Sequence, residues 1–166
     1  MDILRICKHL FYSGWLVRRA FPNACQDAIA HSIHTAEGLH AGEIRFAIEG
    51  GLDALSLFKG QTPRARAVEV FSQLRVWDTE HNNGVLIYVL LADQAVEIVA
   101  DRGIHARVGA HTWNAICQEM QKAFSKSDFR SGAVQGVAAL SQALCTHFPK
   151  QAGRVNELPN APVVLG

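Results

Sequence analysis

Residues 84–92 read Gly-Val-Leu-Ile-Tyr-Val-Leu-Leu-Ala, the longest uncharged apolar run in the chain. It is half the roughly 18 residues a membrane span needs. A strand that is apolar on both alternations must be buried on both faces, as in the middle of an α/β sheet. That requirement calls for a helical layer on each side of the sheet. The polar turn His81-Asn82-Asn83 leads into the run, and Asp93-Gln94 forms a tight turn out of it.

The other elements fit around this strand. Glu43–Glu49 alternates polar and apolar, which predicts a strand with one face on a core, ended by Gly50-Gly51. Ala95–Ala100 pairs back antiparallel on the central strand, and Asp101-Arg102-Gly103 closes that arm. A helix starts at Pro22, carries Ala24, Ala28, Ile29 and Ile33 at helical spacing, and ends at Gly38. After the first strand a loop of about a dozen residues is tied down by Leu52, Leu55 and Phe58. Thr62 then caps a helix with Pro63 at its first position. Val68, Phe71, Leu74 and Arg75 mark its inner edge, and it ends near Val76-Trp77. Two more helices follow. Thr112 caps one whose face is Trp113, Ile116, Cys117, Met120 and Phe124. The other spans about 131–146, with Val134, Val137, Ala138, Leu140 and Leu144 inward. The order helix-strand-helix-strand-strand-helix-helix predicts an α/β fold, a three-layer α/β/α sandwich with a small mixed sheet. Residues 1–20 form an amphipathic N-terminal arm and 21–149 the α/β/α domain. Residues 150–166 form a tail, of which Val163-Val164-Leu165 can dock on the surface.

Composition limits the function classes. A chain of 166 residues with net charge +1 has no overall field that favours nucleic acid, and its basic residues do not cluster with aromatics. Cys7, Cys25, Cys117 and Cys145 lie far apart and form no CxxC pair, so free thiols in a reducing compartment are expected. The N-terminal apolar stretch precedes Arg18-Arg19, the reverse of a signal peptide's charge order, and the expected location is cytoplasmic. Ile3, Leu4, Ile6, Leu10, Phe11, Trp15 and Leu16 alternate with Arg5, Lys8, Arg18 and Arg19. Residues 3–19 are thus either an arm packed on the domain or a basic amphipathic segment for peripheral membrane contact.

Candidate chemistry gathers at one edge of the sheet. The first two strands start there and the third ends there, which brings Glu43, Asp78, Glu80, His81, Asn82, Asn83, Asp101 and Arg102 together. Carboxylate and amide oxygens suit a hard divalent cation, calcium or magnesium ahead of zinc. The opposite edge offers the thinner set Glu49, Asp53 and Asp93. His31, His34 and Glu37 lie three apart on a helix, but His31 and His34 point away from the Ile29/Ile33 stripe and read as surface. Cys117 lies on an inner stripe with Trp113 and Met120 and reads as core rather than as a nucleophile for His105 or His111. No nucleophile elbow, P-loop or HExxH helix is present in the sequence.

Asn82-Asn83-Gly84-Val85-Leu86-Ile87 resembles the Asp-Asn-Gly-Val-Leu-Leu signature of the TPM domain family. The turn ending in Asp101-Arg102-Gly103-Ile104 resembles the family's next block, and Phe129-Arg130-Ser131-Gly132 its C-terminal element. The resemblance covers residues 22–148 and is to the small stand-alone bacterial type. It implies a three-layer fold, divalent-metal binding and, in some members, weak acid-phosphatase activity. It also implies a LemA-like membrane protein as partner. The signature's Asp is Asn82 here, and an amide holds cations less strongly than a carboxylate, with Asp78, Glu80 or Asp101 left to compensate. The expected function is therefore a non-catalytic binding or scaffolding module. The alternative is a metal-dependent phosphatase in which His81 serves as acid/base.

Overall fold

In the computed structural model, which describes residues 3–12, 14–150, 152–153 and 155–166, the apolar run forms the strand β2 (Gly84–Leu90), buried at every position. It pairs in parallel with β1 (Glu43–Glu49) and antiparallel with β3 (Ala95–Ala100). Alternate β2 side chains enter two different cores. Val85, Ile87 and Val89 join Ile44, Phe46 and Ile48 of β1 on one face. That face is covered by α3 (Asn23–Glu37), α7 (Ala110–Ser125) and α8 (Phe129–His147), through residues such as Ile33, Met120 and Leu140. Leu86, Tyr88 and Leu90 face the other way, under α4 (Ala54–Phe58) and α5 (Pro63–Gln73). Each fully buried aliphatic or aromatic side chain contributes roughly 1.5–3 kcal/mol, so this strand anchors both layers. The fold is the expected mixed α/β sandwich with helices packed on both faces of the sheet.

Several local expectations change. β1 is not half solvated: Glu43, Ala47 and Glu49 on its polar alternation are buried, and Arg45 is half-buried. Its cover comes from α5 and from the C-terminal residues. There Val163–Leu165 forms a strand, β4, parallel to β1, giving the order β3-β2-β1-β4. Three residues are too few to show a period, which is why they read as part of a tail.

The long loop after β1 contains α4, whose N-cap Asp53 accepts a hydrogen bond from the Ser56 amide at 3.0 Å. Thr62 caps α5 as expected, accepting from Ala65 N at 3.1 Å. Phe71 and Leu74 pack on the core as expected, but the fully buried residues of α5 are Ala67 and Val70, while Val68 and Arg75 are exposed. Ala67 and Val70 take the positions closest to the sheet, with Phe71 and Leu74 at the margin of the same core. The turn after β3 continues into α6 (Arg102–Val108), a short helix with Ile104 as its one buried residue, too weakly periodic to stand out. Gly109, at φ +85°, separates α6 from α7 in a conformation L side chains rarely adopt. Thr112 is therefore inside α7, its hydroxyl bonded to Val108 O at 3.1 Å, and is not a cap. Asp128 caps α8.

The N-terminal arm carries two helices, α1 (Ile3–Phe11) and α2 (Gly14–Ala20). His9 and Val17 are buried against the domain. Among the described residues no helix is long and apolar enough to cross a membrane.

Candidate functional site

The register puts Glu43 opposite Gly84 and Val85 opposite Ala100, so the predicted edge does bring Glu43, Asn83 and Asp101 together. Their polar atoms are largely taken by the chain itself. Glu43 is fully buried, and its Oε2 accepts from the amides of Glu157 and Leu158 at 3.3 and 3.2 Å. Asp101 Oδ2 accepts from Gly84 N at 2.8 Å, while Asp101 N donates to Gly84 O at 3.0 Å. The carboxylate thus closes the end of the β2–β3 ladder. Burial raises the Asp101 carboxyl above the ordinary range, and the Gly84 amide only partly offsets this. Asn83 is buried: its side-chain nitrogen donates to Ala41 O, its amide to Thr79 Oγ1 at 3.0 Å, and its Oδ1 meets no donor.

The remaining predicted residues stand outside this arrangement. Asp78, Glu80, His81, Asn82 and Arg102 are exposed. Glu80 uses its amide to bond Glu157, at 3.0 Å. Asn82 has φ +48°, a left-handed conformation that Asn tolerates better than most residues, so the turn alone accounts for it. Among the described residues no three His, Cys, Asp or Glu side chains gather in a way that could hold a metal. The edge therefore does not fit a multidentate divalent cation of the kind expected there.

The denser polar network lies at the opposite end of the parallel strands, in the set that looked thinner in sequence. Arg66 of α5 grips Glu49 with two bonds of 2.9 and 2.8 Å, and the Tyr88 hydroxyl donates to the same carboxylate at 2.5 Å. The bonds to Glu49 raise the Arg66 guanidinium, and burial together with the Glu49 charge raises the Tyr88 phenol. Nearby in the chain, Asp93 receives Arg5 at 3.0 and 2.8 Å and His9 Nε2 at 3.0 Å. Leu52 N donates to His9 Nδ1 at 2.8 Å, so that nitrogen carries no proton and Nε2 is the donor to Asp93. Burial alone would raise Asp93, but the hydrogen bonds from Arg5 and His9, together with the Arg5 charge, hold it below the usual carboxylate range. Arg5 also donates to Gln61 O at 2.8 Å. These are closed networks, suited to joining elements rather than to turning over a substrate. Arg5, His9, Arg66 and Tyr88 were not legible as partners in the sequence; the i, i+4 spacing of Arg5 and His9 on one helical face is the only local trace.

Cys117 is buried, its thiol pushed up to about 12, first by burial and then by Glu97, which matches its reading as core. His31 and His34 are exposed on α3, also as read. Glu37 Oε1 accepts from Ile44 N at 2.8 Å and ties α3 to β1.

Comparison with known proteins places this architecture. A family model described as the TPM domain matches residues 18–143. The chain belongs to the TPM domain family. The TPM fold is shared with the solution structure of the BA42 protein from the psychrophilic bacterium Bizionia argentinensis. That structure has a TM-score of 0.70 and 31% identity, over 85% of this chain and 92% of that one. The N-terminal domain of a P. gingivalis protein has the same TPM-like fold at TM-score 0.60 and 19% identity, over 76% of this chain and 77% of that one. No curated protein matches the chain.

Proposed function

We propose that this TPM domain is a non-catalytic binding module that joins a membrane-associated complex, with a LemA-like membrane protein as the partner the family resemblance implies. One observation carries the reading. The carboxylates built into the strand edge, Glu43 and Asp101, hold the chain's own backbone amides. A cation bound there would compete with those donors for the carboxylates, and a buried donor left unpaired costs about 1–3 kcal/mol. His81, the residue a phosphatase would use as acid/base, is exposed on a turn, and no metal-holding group stands near it among the described residues.

The test pairs two measurements on highly purified protein. Calcium, magnesium and zinc at millimolar concentration should leave the melting temperature of the wild type and of Asp78→Ala unchanged. Phosphate release from a generic phosphomonoester should be at background. A metal-dependent rise in melting temperature that Asp101→Ala or Asp78→Ala abolishes, or a phosphatase activity lost in His81→Ala, would replace the binding-module reading with the metal-dependent one.

A further inference from the structure

The first helix is inside out. Its polar residues Arg5 and His9, one turn apart, face the domain and are bonded to Asp93, Gln61 and Leu52. Ile6 alone of its described apolar residues packs on the core, and the others face away. Leu4 is 77% exposed, Leu10 68% and Phe11 78%, and Cys7 between them is exposed as well. The spacing Leu4, Cys7, Phe11 is that of a single helical face. In a helix stabilised only by its own domain, this face would be turned inward to bury its apolar surface. Here a charged latch keeps it outward. The second helix continues the pattern: Trp15 is 64% exposed, with the Arg19 guanidinium 5.6 Å from its ring centre.

Apart from Asp93, which Arg5 and His9 engage, the charge these two helices carry has one sign. Lys8, Arg18 and Arg19 are exposed, and the described residues from 3 to 20 include no Asp or Glu. An outward row of Leu, Phe and Trp flanked only by Lys and Arg is the chemistry of a helix lying in the interface of an anionic bilayer. There the apolar side chains enter the acyl boundary and the cations meet lipid phosphates. A protein groove that accepted the same face would have to supply several carboxylates around an apolar floor, whereas an anionic membrane presents that combination everywhere.

We propose that α1 and α2 are a membrane-surface anchor that binds anionic phospholipid through Leu4, Leu10, Phe11, Trp15 and their cationic flank, and that Arg5 and His9 on Asp93 hold the anchor in its outward orientation. The proposal deepens the binding-module reading by naming the surface and the ligand class, and it rests on that reading only for its setting.

The experiment is co-sedimentation of the full chain with vesicles of phosphatidylcholine alone and of phosphatidylcholine mixed equally with phosphatidylglycerol. The expected result is binding to the mixed vesicles, weakening as salt rises. Lys8→Ala and Arg18→Ala should each lower the partition coefficient about fivefold. Phe11→Ser should lower it on the order of tenfold. All three positions are exposed, and circular dichroism melting checks that each variant folds. Equal pelleting with both vesicle types, or pelleting unchanged in the three variants, overturns the proposal. So does no pelleting at all, which would give the face to a protein partner, and so does a dimer in solution that Phe11→Ser dissolves. None of these results alters the metal and phosphatase measurements, so failure of the anchor and failure of the binding-module reading are told apart.

Discussion

His9 and Asp93 are 84 positions apart in sequence, yet the ring Nε2 sits 3.0 Å from the carboxylate and the imidazole side chain is fully buried. This contact, with Arg5 alongside, fastens the N-terminal helices to the turn between β2 and β3. Asp93→Ala leaves a buried imidazole N–H without an acceptor. The expected loss is about 1–3 kcal/mol in denaturant unfolding. It should be accompanied by protease cleavage within residues 3–20 at concentrations that spare the wild type. An unfolding curve and a digestion pattern both like the wild type's would show that the latch does not hold α1.

The same carboxylate sets a pH dependence. Its folded-state value lies below the ordinary Asp range, so its contribution is fully present above the unfolded value of about 3.9. That contribution is lost as pH falls through the lower folded value. Below about pH 4 the stability difference between wild type and Asp93→Ala should therefore shrink. Melting curves at a series of pH values test this, and a difference that grows on acidification would contradict the assigned ion pair.

Asp101 has the opposite sign. Burial raises its folded value above the unfolded one, so its ionised form opposes folding at neutral pH, and the penalty disappears as pH falls below the unfolded value. Asp101→Asn keeps an oxygen for the Gly84 amide and removes the charge. Relative to the wild type, it should be more favourable at pH 7 than at pH 3. A variant whose relative melting temperature falls on going from pH 3 to pH 7 would show that the carboxylate is stabilised in place.

Arg66 and Glu49 form a further ion pair, with side chains 19% and 6% accessible. Removing one partner strands the other, so Arg66→Ala should cost about 3–5 kcal/mol. Tyr88→Phe, which deletes one donor from the same carboxylate, should cost about 1 kcal/mol. Chemical denaturation of both variants tests this, and a loss for Arg66→Ala no larger than that for Tyr88→Phe would deny the pair its structural weight.

The glycine that opens β2 is required by a close approach. A Cβ on Gly84 would lie 1.9 Å from Val76 O, against backbone that cannot swing aside. Gly84→Ala should lower stability by about 3 kcal/mol or prevent folding, beyond ordinary overpacking. Gly103, where an added Cβ meets nothing within 4 Å, lies inside α6, and Gly103→Ala should be neutral or stabilising by up to about 1 kcal/mol. Expression and melting of the pair provide the check, and equal behaviour would refute the steric reading.

The two-faced burial of Val85–Leu90, the crossover from β1 to β2, and the convergence of Glu43, Asn83 and Asp101 all follow from local pattern and connectivity. A run apolar on both alternations has only one kind of place in a sheet, and strand direction then assigns the ends. The TPM signature was legible for the same reason, being a turn and a buried strand in one stretch. Whether those edge oxygens were open to a ligand was not legible. The occupants of Glu43, the amides of Glu157 and Leu158, arrive from more than a hundred residues away. The partners Arg66 for Glu49 and Arg5 and His9 for Asp93 likewise come from separate elements. An amphipathic pattern in α1 establishes that one face is apolar, but not which face meets the domain. That was decided in three dimensions, where Asp93 draws the polar side of the helix inward and leaves Leu4, Leu10 and Phe11 facing out.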